Sequence, residues 1–237
     1  MTNGKRRPKS VSVSSASSRI GLFGGSFNPP HVAHLVIAEW VRREFNLEKV
    51  VFVPTFLPPH KETPTPFKLR CRMVRLAIAN RRYFAVSDVE KNLTPPSYTI
   101  ATIRHFRRQL PEARFFLIIG SDQFLEIDTW YKPAALLKEC RLIVVPRLGF
   151  EISPRRKYFK QALITQLKPI DISSSRIRER SRRGLPILQL VPGPVASFIR
   201  KHNLYRRPKP SSCRVRSPNT RRSRPKVKSG SMAIGRR

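Results

Sequence analysis

Two short runs of the sequence are apolar without interruption, and they restrict the chain to a small set of folds. Phe115–Ile119 and Leu142–Val145 contain no polar residue. A strand that is apolar on both faces must be covered on both faces, which is typical of a central strand in a parallel sheet flanked by helices. We therefore expect an α/β fold built on a doubly wound parallel sheet.

Strand and helix patterns alternate along the rest of the chain. Apolar residues recur at helical spacing from 32 to 45 and again from 67 to 79, and the Ser97 hydroxyl is suited to capping a helix that runs to Leu110. The predicted strands are 19–23, 50–53, 84–86, 115–119 and 142–145, and further helices are predicted at 173–183 and 195–203. This order predicts a Rossmann-like sheet with helices on both faces and extra helices at the C-terminal end.

The two ends of the chain differ from its middle. Of the formal net charge of +34, much lies in residues 1–18 and 206–237, which contain no acidic residue and few large apolar ones. Such segments bury too little apolar surface to offset the entropy of ordering, so we expect disordered basic ends around one folded domain at 19–205. The tails are either solvated extensions or non-specific contacts for nucleic acid.

The cysteines and the hydropathy point to one cellular setting. Cys71, Cys140 and Cys213 are far apart and odd in number, which predicts neither a disulfide framework nor a CxxC metal site. Cys140 borders an apolar run and is expected to be buried. Because no stretch has the length of a membrane span and no apolar leader follows the basic start, we expect a cytoplasmic protein without membrane contact.

The turn after the first strand is the first place to look for a ligand, since ligands of open parallel sheets lie beyond the carboxyl ends of the strands. Gly24 and Gly25 leave the backbone open to a phosphate, and the helix that follows offers free N–H groups. His31 and His34, three residues apart, are placed to donate to phosphate oxygens. The alternative is an ordinary glycine turn with surface histidines. No Walker A lysine and no G-x-G-x-x-G spacing is present.

A second candidate phosphate site is the serine-rich segment before the helix at 173–183. Ser173–Ser175 bring hydroxyls and backbone N–H groups together, and Arg178 adds a fork of donors. Taken alone, the serines are equally explained as a helix cap.

The complete motifs resemble those of a known enzyme superfamily. Residues 21–34, GLFGGSFNPPHVAH, resemble the G-x-F-G-G-[ST]-F-[DN]-P-x-H-x-x-H signature of nucleotidyltransferases, and residues 172–178, ISSSRIR, resemble their I-S-S-T-x-I-R motif. The resemblance implies that both segments hold the phosphates of ATP, and hence that the end of the first strand and the Ser173 helix converge on one triphosphate.

Three further segments resemble the bacterial nicotinate-nucleotide adenylyltransferases. They are PTFLPPHK at 54–61, PSYTIAT at 96–102, and IGSD at 119–122 followed by TWY at 129–131. The implied reaction joins ATP and nicotinate mononucleotide, with Mg²⁺, into nicotinate adenine dinucleotide and pyrophosphate. The implied catalytic residues are His31, His34 and Arg178. The implied ATP-binding residues are Gly24, Gly25, Ser26, Phe27, His31, His34, Gly120, Asp122, Ser174, Ser175 and Arg178, and the implied acceptor-binding residues are Thr55, His60, Lys61, Thr99 and Trp130.

Several alternatives stay open at this point. Asp122 is either a ribose ligand or a helix N-cap, and Trp130 either stacks on the pyridine ring or packs in the core. The family usually has asparagine where this chain has Thr55, which leaves nicotinamide mononucleotide as a second acceptor. Many members also have glycine where this chain has Ala33, a mild change because alanine favours helix. A phosphopantetheine enzyme would have threonine in place of His31. A basic nucleic-acid-binding protein is the remaining alternative, although no zinc finger or helix-turn-helix signature is present.

Overall fold

The structure is a computed structural model that describes residues 18–57 and 65–206. Six parallel strands form one sheet in the order β3-β2-β1-β4-β5-β6. The strands are β1 Arg19–Gly25, β2 Lys49–Pro54, β3 Phe84–Val86, β4 Arg114–Gly120, β5 Arg141–Val145 and β6 Ala162–Ile164. The helices are α1 Val32–Glu44, α2 Phe67–Ile78, α3 Thr99–Gln109, α4 Ser121–Leu125, α5 Pro133–Glu139, α6 Ser174–Arg182 and α7 Gly193–Lys201.

The strand order reverses between β1 and β4. Leu22 of β1 lies in register with Val51 of β2 on one side and with Leu117 of β4 on the other. The chain first adds strands on the β2 side and then crosses to build the β4 side. The loops at the carboxyl ends of β1 and β4 therefore separate and leave a crevice, which is where ligands of this fold class bind.

Alternate residues of the strands fill two separate cores, as expected for a sheet covered on both faces. Phe23, Phe52 and Ile118 belong to one cluster, which also contains buried residues of α1, α2, α6 and α7. Leu22 and Leu117 belong to the other, with buried residues of α3 and α5. Each fully buried aliphatic or aromatic side chain contributes about 2 kcal/mol. The doubly wound Rossmann-like prediction is confirmed.

The structure shows one local prediction to be wrong and adds three short elements that were not predicted. Ser97 does not cap α3, because its hydroxyl accepts the Leu57 N–H at 3.0 Å, and Tyr98 occupies the cap position without a side-chain hydrogen bond. The strand β6 and the short helices α4 and α5 escaped prediction. They have three, five and seven residues, too few for a hydrophobic period to show.

Other local predictions hold. Ser173 caps α6 by accepting the Arg176 N–H at 3.3 Å, and Cys140 is buried with Cys71 as a free thiol. Within the described part of the chain, no helix has the length and apolarity needed to cross a membrane. Cys213 and most of both basic ends lie outside the described residues.

Candidate active site

A cavity of about 950 Å³ opens at the carboxyl ends of β1, β2, β4 and β5. Every implied site residue that the structure describes lines it, whereas His60 and Lys61 fall in 58–64, outside the described residues. The predicted residues on its wall are Gly24, Gly25, Ser26, Phe27, His31, His34, Thr55, Thr99, Gly120, Asp122, Trp130, Ser174, Ser175 and Arg178.

The turn after β1 is held in an uncommon backbone shape by residues that are distant in sequence. Phe27 has a positive φ of 46° although it is not glycine, and its ring is buried. Arg70 donates from its guanidinium to the Ser26 carbonyl at 2.9 Å, and the Tyr205 hydroxyl donates to Oδ1 of Asn28 at 2.7 Å. These bonds from α2 and from beyond α7 fix the turn from outside the cavity.

The start of α6 is bonded directly to the same turn. The Ser174 hydroxyl donates to the Pro29 carbonyl at 2.8 Å, and Arg178 donates to the Asn28 carbonyl at 2.9 Å and to the Ser175 hydroxyl at 3.0 Å. The predicted convergence of the first strand and the Ser173 helix is confirmed. The Ser174 hydroxyl uses its proton on Pro29, whereas the Ser175 hydroxyl only accepts here. The donors still open to a ligand are therefore the Ser175 hydroxyl, the helix N–H groups and the remaining guanidinium N–H groups.

The two histidines stack face to face at the start of α1. Their ring centroids lie 3.7 Å apart with an interplanar angle of 26°. His31 occupies the N-cap position just before α1, and its backbone N–H donates to Nδ1 of His34 at 3.1 Å. His31 is the cap residue and its ring stacks on that of His34. The two histidines are therefore not two helical residues on one face of α1, as their spacing had suggested.

Both imidazoles are neutral near pH 7. Burial, and then the positive charge of Arg147, lower the pKa of His31 to about 4. Burial, followed by the charges of His31 and Arg147, lowers the pKa of His34 well below its usual value. Since Nδ1 of His34 accepts a hydrogen bond, its proton is on Nε2, which is then a donor. Nδ1 of His31 is buried and has no partner among the described residues.

Asp122 is paired with an arginine across the crevice. Its Oδ2 lies 2.7 Å from Nη1 of Arg147, whose backbone N–H in turn donates to the Ser121 hydroxyl at 2.9 Å. The other oxygen, Oδ1, is buried without a partner in the described part of the structure. The N-cap of α4 is Gly120, so the interpretation of Asp122 as a cap is wrong. A Cβ at Gly120 would lie 2.3 Å from Oδ1 of Asp122 and 2.8 Å from Cδ of Arg147, so a larger residue there would displace these two side chains.

The residues expected at the acceptor end come from three elements. Thr55 follows β2 and bonds its N–H to the Gly25 carbonyl at 2.9 Å, Thr99 begins α3, and Trp130 follows a single 3-10 turn after α4. Trp130 packs partly against the core that contains α3 and also lines the cavity, so its two interpretations are both compatible with its position.

Four residues near the site were missed by the sequence analysis: Arg70, Glu90, Arg147 and Tyr205. Arg70 is 1% exposed and occupies an inward position of α2, among apolar neighbours. A charged residue in an apolar helical stripe was the available signal, because such a residue must find partners when buried. The other three lie in loops or at an element end, where no period marks them.

The described residues contain no group of three or more histidine, cysteine, aspartate or glutamate side chains able to hold a metal ion.

At the switch point of the parallel sheet, a turn with glycine and histidine meets a helix that begins with serine and carries arginine. This arrangement defines the class of nucleotide-transferring α/β proteins. The model of the cytidylyltransferase-like family matches residues 22–180. A relative from Geobacter metallireducens, described as a probable nicotinate-nucleotide adenylyltransferase, is 42% identical over 211 residues, covering 79% of this chain and 98% of the relative. A relative of the same description from Exiguobacterium sibiricum is 40% identical over 190 residues, with the same coverage.

The chain belongs to the cytidylyltransferase-like family and, within it, to the nicotinate-nucleotide adenylyltransferases. The fold agrees with this assignment. The nicotinic acid mononucleotide adenylyltransferase of Plasmodium falciparum, solved in complex with NaAD, superposes with a TM-score of 0.69 at 23% identity, covering 79% of this chain and 97% of that one.

Proposed function

We propose that the cavity is the active site in which the chain transfers the adenylyl group of ATP to nicotinate mononucleotide. The products are nicotinate adenine dinucleotide and pyrophosphate, and the reaction is a step of NAD biosynthesis. The observation that supports this best is the hydrogen bonding of Ser174 and Arg178 to the Asn28–Pro29 turn, which gives one cavity two phosphate-binding helix starts.

The proposed reaction needs no protein nucleophile. A phosphate oxygen of the acceptor forms the new bond to the α-phosphorus of ATP, and the bond from that phosphorus to the oxygen bridging to the β-phosphorus breaks. The bridging oxygen leaves with its electron pair as part of pyrophosphate. The protein then contributes by positioning and by neutralising charge. The wall of glycine, serine, histidine and arginine suits this chemistry.

At the ATP end, the proposed donors are the N–H groups that begin α1 and α6, Nε2–H of His34, and the unused N–H groups of Arg178. Negative phosphates near the imidazoles would favour protonation and oppose the effect of burial on the pKa. The unpartnered Oδ1 of Asp122 is proposed to accept a hydrogen bond from a ribose hydroxyl.

Mg²⁺ is proposed to enter as part of the MgATP substrate. It is a hard cation that keeps waters and binds phosphate oxygens readily, so it does not require a dedicated protein cage. The proposed compartment is the cytoplasm, where a reducing environment agrees with the buried free thiols Cys71 and Cys140.

At the acceptor end, Thr55, Thr99 and Trp130 are the proposed contacts, with His60 and Lys61 completing them. Trp130, which lines the cavity, is proposed to stack its ring on the pyridine. Threonine at position 55 has one hydroxyl where an amide would offer both an oxygen and an NH₂ group, so residue 55 bears directly on selectivity for the acid over the amide.

The test is a two-acceptor assay. Purified full-length protein is incubated with ATP and Mg²⁺ and with either nicotinate mononucleotide or nicotinamide mononucleotide, and pyrophosphate release is followed. We expect the nicotinate acceptor to give the higher kcat/KM. Turnover of the amide that is tenfold faster or more would overturn the choice of acceptor, and the absence of turnover with both would overturn the function.

A further inference from the structure

Glu90 is a buried carboxylate that lines the cavity and has no part in the reaction described above. It lies in the 3-10 turn Val89–Asn92 between β3 and α3, and it is 7% exposed. Burial raises the pKa of this carboxyl, which is the expected effect of removing a charge from water. Burying a carboxylate costs free energy unless hydrogen bonds compensate, so the hydrogen-bond partners of Glu90 explain how the protein accommodates it.

The two oxygens of Glu90 bond to two different walls of the cavity. Oε2 accepts the backbone N–H of Phe56 at 2.9 Å, just after β2. Oε1 accepts the hydroxyl of Thr102 at 3.2 Å, on the first turn of α3. Thr102 is itself 4% exposed, so this bond is shielded from water.

The carboxylate has no close cation. Among the described residues, no lysine, arginine or histidine nitrogen lies within ion-pair distance of Glu90, and Arg70 acts on it only through longer-range charge. Glu90 therefore acts through hydrogen bonds from neutral groups. These bonds join the end of β2 to the start of α3.

A second connection runs in parallel. The Leu57 N–H donates to the Ser97 hydroxyl at 3.0 Å, and the Ser97 N–H donates to the Leu57 carbonyl at 2.9 Å. The segment 55–57 is thus attached to α3 by Glu90, through Thr102, and to the residues just before α3 by Ser97, and the Ser97 side chain also hydrogen-bonds to Glu90. Thr55 lies in the segment 55–57 and Thr99 begins α3, so both proposed acceptor contacts belong to the segments that these bonds join.

We propose that Glu90 is a positioning residue for the acceptor nucleotide: by bonding Phe56 and Thr102 at once, it fixes the distance between the Thr55 and Thr99 walls of the cavity. This inference rests on the proposed function. The ATP end depends on other contacts, those of the Asn28–Pro29 turn with α6, so loss of Glu90 should act on one substrate and not on the other.

The experiment compares Glu90→Gln and Glu90→Ala with a matched control, Glu112→Ala, an exposed glutamate before β4. KM is measured separately for nicotinate mononucleotide and for MgATP in the full-length protein. Glutamine keeps one acceptor oxygen and loses the other, whereas alanine loses both. We expect KM for the mononucleotide to rise about tenfold or more in Glu90→Ala, with an intermediate rise in Glu90→Gln, and KM for MgATP to stay within about twofold.

Thr102→Val is an independent test, because it removes the hydroxyl and leaves the carboxylate in place. If Glu90→Ala does not fold, Thr102→Val and Glu90→Gln together test the proposal. It should raise the mononucleotide KM in the same selective way. Equal rises in both KM values, or no rise in either, would assign Glu90 a purely structural role and overturn the proposal. Failure of the proposed function is a different result, namely a wild-type protein that turns over neither acceptor.

Discussion

Arg178 donates a hydrogen bond to the carbonyl of Asn28, a residue 150 positions earlier in the chain. The same guanidinium also bonds to the Ser175 hydroxyl one turn before it. One side chain thus connects the turn that follows the first strand with the start of α6. The two segments with the strongest family motifs are joined by this contact into a single wall of the cavity.

This contact makes Arg178→Lys a sensitive substitution. Lysine keeps the positive charge but has no planar fork, so it cannot bond to Asn28, to Ser175 and to a phosphate at the same time. We expect kcat/KM for MgATP to fall about tenfold or more, with the free energy of unfolding reduced by about 1 kcal/mol. Arg176→Lys, on the same helix, is the matched control, because Arg176 pairs only with exposed Asp171. If steady-state kinetics gave the wild-type kcat/KM for MgATP with both variants, the role assigned to Arg178 would be contradicted.

His34→Ala removes the imidazole that has a free Nε2 donor. Loss of a pre-positioned donor to the transition state lowers kcat by roughly a hundredfold in comparable sites, and we expect a loss of that size here. His202→Ala, at an exposed position after α7, is the control. Thermal melting must show that the variant is folded at the assay temperature. A folded His34→Ala protein with near-normal turnover would remove His34 from the site.

The ligand-free protein should lose stability on acidification through its buried histidines. His31 has a folded-state pKa of about 4 against an ordinary value of 6.5, so the unfolded chain binds the extra proton between these values. Stability from this group is complete above about pH 6.5 and is lost as the pH falls toward 4. The shift corresponds to on the order of 3 kcal/mol.

The measurement is urea unfolding of wild type and His31→Asn between pH 4.5 and 7. The variant should show a shallower dependence of the free energy of unfolding on pH, while the contributions of carboxylates cancel in the comparison. Parallel curves for wild type and His31→Asn would show that His31 is not neutral in the folded protein.

Deletion of residues 207–237 should leave catalysis intact. The described residues that line the cavity end at Arg178, and Tyr205, which bonds to Asn28, is retained. The deleted segment contains eleven basic residues and no acidic one, so we expect weaker retention on DNA or RNA columns, with the difference decreasing as salt is raised. A truncated protein that folds but has no turnover would assign the tail a catalytic role.

The sequence by itself determined five of the six strands and the two segments proposed to bind phosphate. Phe115–Ile119 is apolar on both faces and has to be a central strand, and Ser173 precedes a helix that needs a cap, because these are local requirements of hydrophobic burial and backbone hydrogen bonding. Only the tertiary structure decided that Ser97 bonds to Leu57 instead of capping α3. It also decided that His31 stacks on His34, that Arg70 and Tyr205 hold the turn after β1 from outside the cavity, and that Glu90 joins two of the cavity walls. Apart from the histidine stack, these contacts join residues far apart in the chain, and their energies depend on distances that no local pattern of residues encodes.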